Sequence, residues 1–192
     1  MRIYGIELKM NIPNALSLVR IALLPVFVVL YLASDQNPTM IYWAFGILVI
    51  SGLTDSLDGI IARRFNQITE LGKLLDPIAD KLTQVIVVIC LALRYSEMIV
   101  LVAICLVKEL FQALGALFLL VRGDSVRPAR WYGKITTTVF YAVMGLVVVW
   151  PDMPYWLLVT LVTVVALLML FSFFKYMTVF FRTRDSLSKQ EN

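Results

Sequence analysis

The chain contains no histidine, and only 16% of its 192 residues are charged. The absence of histidine excludes Ser-His-Asp catalysis, imidazole metal sites and histidine proton shuttles. The two cysteines, Cys90 and Cys105, fall within apolar runs and lack metal-ligand spacing, which argues against a disulfide or a zinc site. Any proton transfer must therefore use carboxylates, lysine or tyrosine.

Hydrophobic residues make up 60% of the chain, against roughly 45–50% in soluble domains. Apolar runs of membrane-spanning length recur without period-two alternation, which favours membrane helices over a β-barrel. We predict an all-α, polytopic membrane protein with six transmembrane helices, forming a single domain over residues 1–192. The predicted segments are residues 16–33, 40 to about 61, 74 to about 93, 98–121, 135–150 and 155 to about 181.

Basic residues are concentrated in alternate links between these segments. The other links, SDQNPT, RYSE and PDMP, contain Arg94 as their only cation. An excess of Lys and Arg marks the cytoplasmic side, so both termini and the two long basic loops are predicted to face the cytoplasm. Residues 1–14 are expected to form a cytoplasmic interfacial segment, and residues 182–192 a cytoplasmic tail. The net charge of +4 then reflects membrane topology, and no nucleic-acid partner is expected.

Four aspartates occur at the predicted cytoplasmic ends of two consecutive helices. Asp55 and Asp58 have i, i+3 spacing, and Asp76 and Asp80 have i, i+4 spacing, so each pair lies on one side of its helix. Acids in or near hydrocarbon are costly and usually mark function. Their mutual repulsion requires neutralisation, and ligation by oxygen alone suits hard cations. We predict that the four aspartates bind Mg²⁺ or Mn²⁺, as two ions, together with substrate phosphate oxygens.

The four aspartates belong to a longer motif. Residues 55–80, DSLDGIIARRFNQITELGKLLDPIAD, match the pattern D-x2-D-G-x2-A-R-x8-G-x3-D-x3-D at every specified position. The chain thereby resembles the CDP-alcohol phosphotransferase (phosphatidyltransferase) family. The resemblance implies six membrane helices, a homodimer, and transfer of a phosphate-linked lipid group from a cytidine nucleotide to an alcohol.

The resemblance also implies roles for individual residues of the motif. Asp55, Asp58 and Asp76 would be the principal metal ligands. Asp80 would complete the cluster and act as the base that takes the proton of the acceptor hydroxyl. The residues that would line the nucleotide site are Gly59, Ala62, Arg63 and Gly72.

The opening segment NIPNALSLVRIALLPVFVV resembles the first helix of bacterial phosphatidylglycerophosphate synthases in this family. This resemblance places Asn14 and Arg20 near the nucleotide and head-group site, although Arg20 equally suits a buried pair between helices. An acceptor with its own phosphate needs a basic pocket. Lys134, in the WGK-like segment WYGKITT, is the first candidate. The other candidates are Lys108, Arg127 and Arg130, of which the two arginines equally suit cytoplasmic topology.

The leading prediction is an inner-membrane enzyme that transfers a phosphatidyl group from CDP-diacylglycerol to glycerol 3-phosphate, giving phosphatidylglycerophosphate and CMP. The fourth helix departs from those synthases, because Lys108-Glu109 and then Ala116 stand where Arg-Glu and a further arginine are usual. The stretch GLTDSLDGIIARRFNQ also resembles cardiolipin synthases, whose acceptor is phosphatidylglycerol. That acceptor and phosphatidylinositol phosphate formation remain alternatives within the family.

Two alternatives come from other functional classes. A cation-coupled transporter would need acids near the membrane midplane and an inverted repeat, whereas these acids crowd at one predicted face and have no counterpart in the second half of the chain. A non-catalytic assembly partner would have little reason to keep all four acids, since carboxylates without metal ions repel one another.

Overall fold

In a computed structural model of the chain, the structure describes residues 2–3, 6–7, 11–64, 70–121 and 131–188. Within these ranges the chain forms six α-helices and one two-stranded antiparallel hairpin, so the predicted helical class and the number of helices are confirmed. The strands are β1 (Arg2–Ile3) and β2 (Ile6–Glu7). The helices are α1 (Ile12–Ala33), α2 (Met40–Arg64), α3 (Glu70–Ala92), α4 (Met98–Val121), α5 (Trp131–Val149) and α6 (Tyr155–Ser188).

Three of these helices are long and apolar enough to cross a membrane. The stretches are Ile12–Ala33 in α1, Met98–Gly115 in α4 and Tyr155–Thr178 in α6. Two shorter apolar stretches, Met40–Asp55 in α2 and Gly133–Val149 in α5, are the other candidates within the described residues. The chain is therefore a membrane protein by the character of its helices, whereas six complete spans remain a prediction.

Several helices continue past the predicted apolar segments into polar sequence. The first helix begins at Ile12 rather than at residue 16, with Pro13 in its first turn, where a residue without an N–H costs no hydrogen bond. The last helix continues to Ser188, through residues that were predicted to belong to the tail. Hydropathy reports only the apolar part of a helix, whereas the backbone hydrogen bonds continue beyond it.

The chain divides into two compact units. The first contains Met1–Arg94 and Gly145–Pro151, and the second contains Tyr95–Met144 and Asp152–Asn192. Each unit has its own packing, so each is described by itself.

In the second unit, α4 packs against α6 through aromatic rings. The ring of Phe111 makes edge-to-face contacts with Phe173, Tyr176 and Phe180, at centroid distances of 5.3, 6.4 and 5.8 Å. Gly115 lies one turn further along α4, where an added Cβ would come within 3.3 Å of the Phe180 ring. Because it has no side chain, Gly115 allows this close approach of the two helices.

In the first unit, α1 packs against both α2 and α3. Its buried residues recur every three or four positions, which is the period of one helix face. The first part of this face is polar and the second part is apolar. Its members after the first proline are Asn14, Ser17, Arg20, Leu24, Phe27 and Tyr31.

The helices α1 and α3 lie side by side and run in the same direction. Ser17, near the start of α1, contacts Asp76 near the start of α3, and Arg94, just after α3, contacts Ser34, just after α1. These contacts join residues separated by 59 and 60 positions, so the register of the two helices is nearly constant. At about 1.5 Å per residue the contacts are about 26 Å apart, close to the roughly 30 Å of a hydrocarbon core.

Arg94 joins the far ends of this helix pair. Its guanidinium donates a hydrogen bond to Ser34 Oγ at 3.0 Å and forms an ion pair with Asp35. The same guanidinium lies 5.0 Å from the centroid of the Tyr31 ring, within cation–π range. The arginine side chain is 25% exposed, whereas that of Asp35 is 67% exposed. The contacts with Ser34 and Tyr31 should therefore contribute more to stability than the solvated ion pair.

We expect Arg94→Ala to lower the free energy of unfolding by about 1–3 kcal/mol, because it removes a partly buried hydrogen bond and a ring contact together. Asp35→Ala should cost about 1 kcal/mol or less, since it removes only the exposed ion pair. Thermal unfolding of both variants in the same detergent measures the difference. Equal losses would show that the ion pair, rather than the buried contacts, joins the two helix ends.

Candidate functional site

Three of the four motif aspartates have side chains that the structure describes, and all three lie in the first unit. Asp55 is on α2, and Asp76 and Asp80 are on α3. The backbone of Asp58 lies in α2 one turn after Asp55, but its side chain is outside the described part of the chain. The Asp55 side chain is 52% exposed, and the two aspartates of α3 are half-buried.

Two of these carboxylates are held by neighbouring residues of α1. Arg20 Nη1 lies 2.6 Å from Asp55 Oδ1, and the Ser17 hydroxyl donates a hydrogen bond to Asp76 Oδ1. Ser17 and Arg20 have i, i+3 spacing, so they lie on one face of α1. A single face of α1 therefore engages one acid from each of the two helices that carry the motif.

Among the residues whose side chains the structure describes, Arg20 has the largest fully buried side chain, at 2% exposure. A buried guanidinium is costly unless a counter-charge pairs with it. The sequence left open whether Arg20 belongs to the site or pairs two helices. The structure shows an interhelical pair, and the partner of Arg20 is the motif residue Asp55.

The side chain of Gln84 orients Asp80. Gln84 Nε2 donates a hydrogen bond to Asp80 Oδ2 at 3.1 Å, and the glutamine is itself buried. The two residues have i, i+4 spacing on α3, which brings side chains one turn apart into contact. A carboxylate with one oxygen fixed in this way samples fewer orientations, which suits a group that has to meet a proton donor in one geometry.

The chemistry of the donor set suits a hard divalent cation. Asp55 and Asp76 offer carboxylate oxygens on two helices, both engaged by one face of α1, and Mg²⁺ and Mn²⁺ prefer such ligands. Among the side chains that the structure describes, no group of three or more potential ligands is already gathered into a metal cluster. Because the Asp58 side chain lies outside that set, the four-aspartate metal site stays a prediction.

The residues predicted to line the nucleotide site fall near these acids along the chain. Asn14 is fully buried one turn before Ser17 on the same face of α1, and Gly72 is buried one turn before Asp76 on α3. The remaining three have their backbone in α2, but their side chains are outside the described part; they are Gly59, Ala62 and Arg63. Their role in nucleotide binding stays a prediction.

The predicted acceptor-phosphate residues fall into different environments of the second unit. Lys108 is buried on α4, and its Nζ lies 2.9 Å from Oε1 of Glu109, with the two side chains 9% and 12% exposed. Lys134 is exposed in the first turn of α5. Arg127 and Arg130 lie outside the described residues. Because its charge is balanced by Glu109, Lys108 is a weaker anion-binding candidate than the exposed Lys134.

Two residues that contact motif aspartates, Ser17 and Gln84, were not predicted from the sequence. Ser17 carried a weak signal, since Asn14, Ser17 and Arg20 form a polar row at intervals of three in an otherwise apolar helix. Gln84 carried a local signal, its i, i+4 spacing from Asp80. Neither position is specified by the aspartate motif, so reading that motif alone could not identify them.

Comparison with known proteins gives a consistent result. The family model described as CDP-alcohol phosphatidyltransferase matches residues 10–173. A protein of Mycobacterium tuberculosis named putative cardiolipin synthase is 38% identical over 128 residues, which cover 67% of this chain and 59% of that relative. The aligned part of the chain thus spans less than two thirds of the mycobacterial protein.

Two further relatives carry a different name, CDP-diacylglycerol–glycerol-3-phosphate 3-phosphatidyltransferase. The Bacillus subtilis protein is 33% identical over 137 residues, covering 66% of this chain and 70% of the relative. The Escherichia coli protein is 34% identical over 135 residues, covering 68% of this chain and 72% of the relative. Relatives of similar identity to this chain therefore carry two different enzyme names.

Proposed function

Because the chain belongs to the CDP-alcohol phosphatidyltransferase family, we propose that it makes phospholipid by transferring the phosphatidyl group of CDP-diacylglycerol to glycerol 3-phosphate. The products are phosphatidylglycerophosphate and CMP. The observation that carries this proposal is the complete aspartate motif on α2 and α3, with Asp55 and Asp76 both engaged by α1. The Bacillus and Escherichia relatives support the choice of acceptor.

In this reaction the acceptor hydroxyl attacks the phosphorus that carries the diacylglycerol group. The bond from that phosphorus to the oxygen of CMP breaks, and CMP leaves with the bonding electron pair. The hydroxyl proton passes to the Asp80 carboxylate, which Gln84 holds in one orientation. A carboxylate is a weak base for an alcohol, so its position matters more than its basicity.

The residues that would hold Mg²⁺ or Mn²⁺, as two ions, are Asp55, Asp58, Asp76 and Asp80. Divalent cations bound there supply positive charge that offsets the charge developing on the pyrophosphate oxygens. The role of α1 is to set the carboxylates in place, with Arg20 at Asp55 and Ser17 at Asp76. We assign the cytidine nucleotide to Asn14, Gly59, Ala62, Arg63 and Gly72, which fall near the acids along the chain.

The phosphate of the acceptor requires cationic side chains of its own. We propose Lys134 as the first of these, because it is exposed at the start of α5 and its charge is therefore accessible to a phosphate group. Arg127 and Arg130 precede it by a few residues in the sequence. Lys108 would contribute only if Glu109 released it, since the two side chains form a buried pair.

A second candidate function is cardiolipin synthesis, with phosphatidylglycerol as the acceptor. One observation favours it: the buried Lys108–Glu109 pair is neutral overall, and a neutral site suits an acceptor with less charge than glycerol 3-phosphate. The mycobacterial relative, named putative cardiolipin synthase, gives independent support. The donor, the motif and the leaving group are the same in both functions.

An acceptor panel separates the two functions. With purified protein, CDP-diacylglycerol and Mg²⁺, we expect CMP release when glycerol 3-phosphate is added and little release with phosphatidylglycerol or inositol phosphate. Chromatography of the lipid products identifies the acceptor that was used. CMP release with phosphatidylglycerol but not with glycerol 3-phosphate would overturn the leading proposal and establish the second.

We also propose an inner-membrane homodimer with six spans and with both termini and the acids facing the cytoplasm. The alternation of basic and non-basic links supports this orientation. The parallel arrangement of α1 and α3 agrees with it, because the starts of both helices, with Ser17 and Asp76, then lie at the same membrane face. Membrane lipids would surround the many exposed apolar side chains of the helices.

A further inference from the structure

We propose that Ser17 and Arg20 are positioning residues, which hold Asp76 and Asp55 in the orientation that binds the divalent cation before any substrate arrives. This inference rests on the cation-dependent part of the proposed function. It assigns to α1 a role that the aspartate motif does not contain. The role consists of two contacts, Ser17 to Asp76 and Arg20 to Asp55.

The difference in burial across these contacts supports a positioning role. Ser17 is fully buried and Arg20 is 2% exposed, whereas Asp55 is 52% exposed and Asp76 is half-buried. A buried side chain has little rotational freedom, while a half-exposed aspartate can sample several rotamers unless something holds it. The α1 residues are thus the fixed members of each pair. Holding a ligand in place before binding reduces the entropy lost when the ion binds.

The buried Ser17 hydroxyl has a second hydrogen-bond acceptor that it can use if the Asp76 carboxylate moves. Its hydroxyl carries one proton and lies within reach of two acceptors, Asp76 Oδ1 and the Pro13 carbonyl at 3.1 Å. If Asp76 shifts, the hydroxyl can turn to Pro13, so the buried donor stays satisfied.

Substitution of Arg20 tests the proposal through the direction in which cation affinity changes, because Arg20 has two opposed effects on a bound cation. Its positive charge repels a nearby cation, so removal of the charge alone would tighten cation binding. Its contact orients Asp55, so removal of the contact would weaken binding. Asp55 is half-exposed and its surroundings are screened by water, which reduces the repulsion more than the direct contact. We therefore expect the loss of orientation to dominate and Arg20→Gln to weaken cation binding.

The experiment measures Mn²⁺ binding to the full chain in detergent without nucleotide, by the loss of the free-ion signal in electron paramagnetic resonance. Ser17→Ala should raise the Kd for Mn²⁺ about 10-fold, the lower end of the effect of removing a partner from a metal ligand. Ser17→Thr, which keeps the hydroxyl, should stay near the wild-type value. Ser172→Ala is the matched control, since it removes another buried serine hydroxyl, from α6 in the other unit.

A second measurement separates positioning from general damage. The Mg²⁺ concentration that gives half-maximal CMP release should rise in Ser17→Ala by the same factor as the Kd, and turnover should recover at saturating Mg²⁺. A merely structural loss would lower turnover at every Mg²⁺ concentration. Unfolding temperatures identify variants that do not fold. If Arg20→Gln is among them, the comparison of Ser17→Ala with Ser17→Thr decides the question.

The failure of this inference differs from the failure of the proposed function. If the wild-type chain binds Mn²⁺ and Ser17→Ala binds it equally well, the positioning role is overturned while the reaction stands. If Arg20→Gln binds Mn²⁺ more tightly, repulsion outweighs orientation and Arg20 loses its role. If the wild-type chain binds no Mn²⁺, the positioning role is overturned together with the cation-dependent mechanism.

Discussion

Asp80→Asn is expected to reduce CMP release by about 10²–10⁴-fold, the usual contribution of a general base. The substitution removes the group that takes the hydroxyl proton but keeps its size. The amide can still form a hydrogen bond with Gln84, so α3 should retain its local contacts. We therefore expect a protein that folds, inserts and unfolds at the wild-type temperature, yet shows almost no turnover in the assay with CDP-diacylglycerol and its acceptor.

The matched control is Asp35→Asn, which makes the same chemical change at an exposed aspartate that follows the C-terminal end of α1. Its turnover should equal that of the wild-type chain. Normal turnover by Asp80→Asn would remove Asp80 from the mechanism, whatever acceptor is used.

Asp55→Ala is expected to abolish CMP release and also to destabilise the fold, unlike Asp80→Asn. Asp55 is the counter-charge of the buried Arg20, and loss of the partner of a buried polar group costs about 1–3 kcal/mol. Thermal unfolding should show a lower midpoint, and cation binding should weaken at the same time. Asp55→Ala and Asp80→Asn would then both be inactive, but only Asp55→Ala would be less stable than the wild-type chain.

A double-mutant cycle tests the cause of that instability. In a chain that already carries Arg20→Gln, Asp55→Ala should cost little further stability, because the buried charge has already gone. Equal losses in the two backgrounds would show that the Arg20–Asp55 pair does not stabilise the fold. An unchanged unfolding midpoint in Asp55→Ala alone would contradict the expectation directly.

The number and type of the helices could be predicted because each apolar run has the length and character of a membrane helix. The bounds of α4, Met98–Val121, agree with the predicted segment at both ends, since hydropathy changes abruptly at RYSE before it and at the basic sequence after it. The end of α6 could not be predicted in this way. Residues 182–188 are mostly polar and extend the apolar helix α6, which a hydropathy profile does not detect.

The sequence was sufficient to predict which acids of the candidate site share one side of a helix. The acids of α2 and α3 follow from their i, i+3 and i, i+4 spacing. The partners of those acids could not be predicted in full, because they lie on α1 and depend on how three helices pack. Arg20 drew attention as a buried charge, but its choice of Asp55 rather than another acid is a result of tertiary structure.

The basic residues show the same limit. Lys108 and Glu109 are adjacent in sequence, and adjacent residues on a helix point in different directions. The sequence therefore gave no reason to expect that they neutralise each other. Their ion pair depends on long side chains that bend towards each other in a buried environment.

The two contacts at opposite ends of α1 and α3 limit the insertions that this helix pair can accept during evolution. Substitutions between the contacts can alter packing without disturbing either end. Insertion of one residue would rotate one end of α1 by about 100° and shift it by about 1.5 Å relative to the other. The chain could then keep the contact of Ser17 with Asp76 or that of Ser34 with Arg94, but not both. Adaptation to a thicker or thinner bilayer must therefore occur by exchange of side chains, or by matched changes of length in both helices.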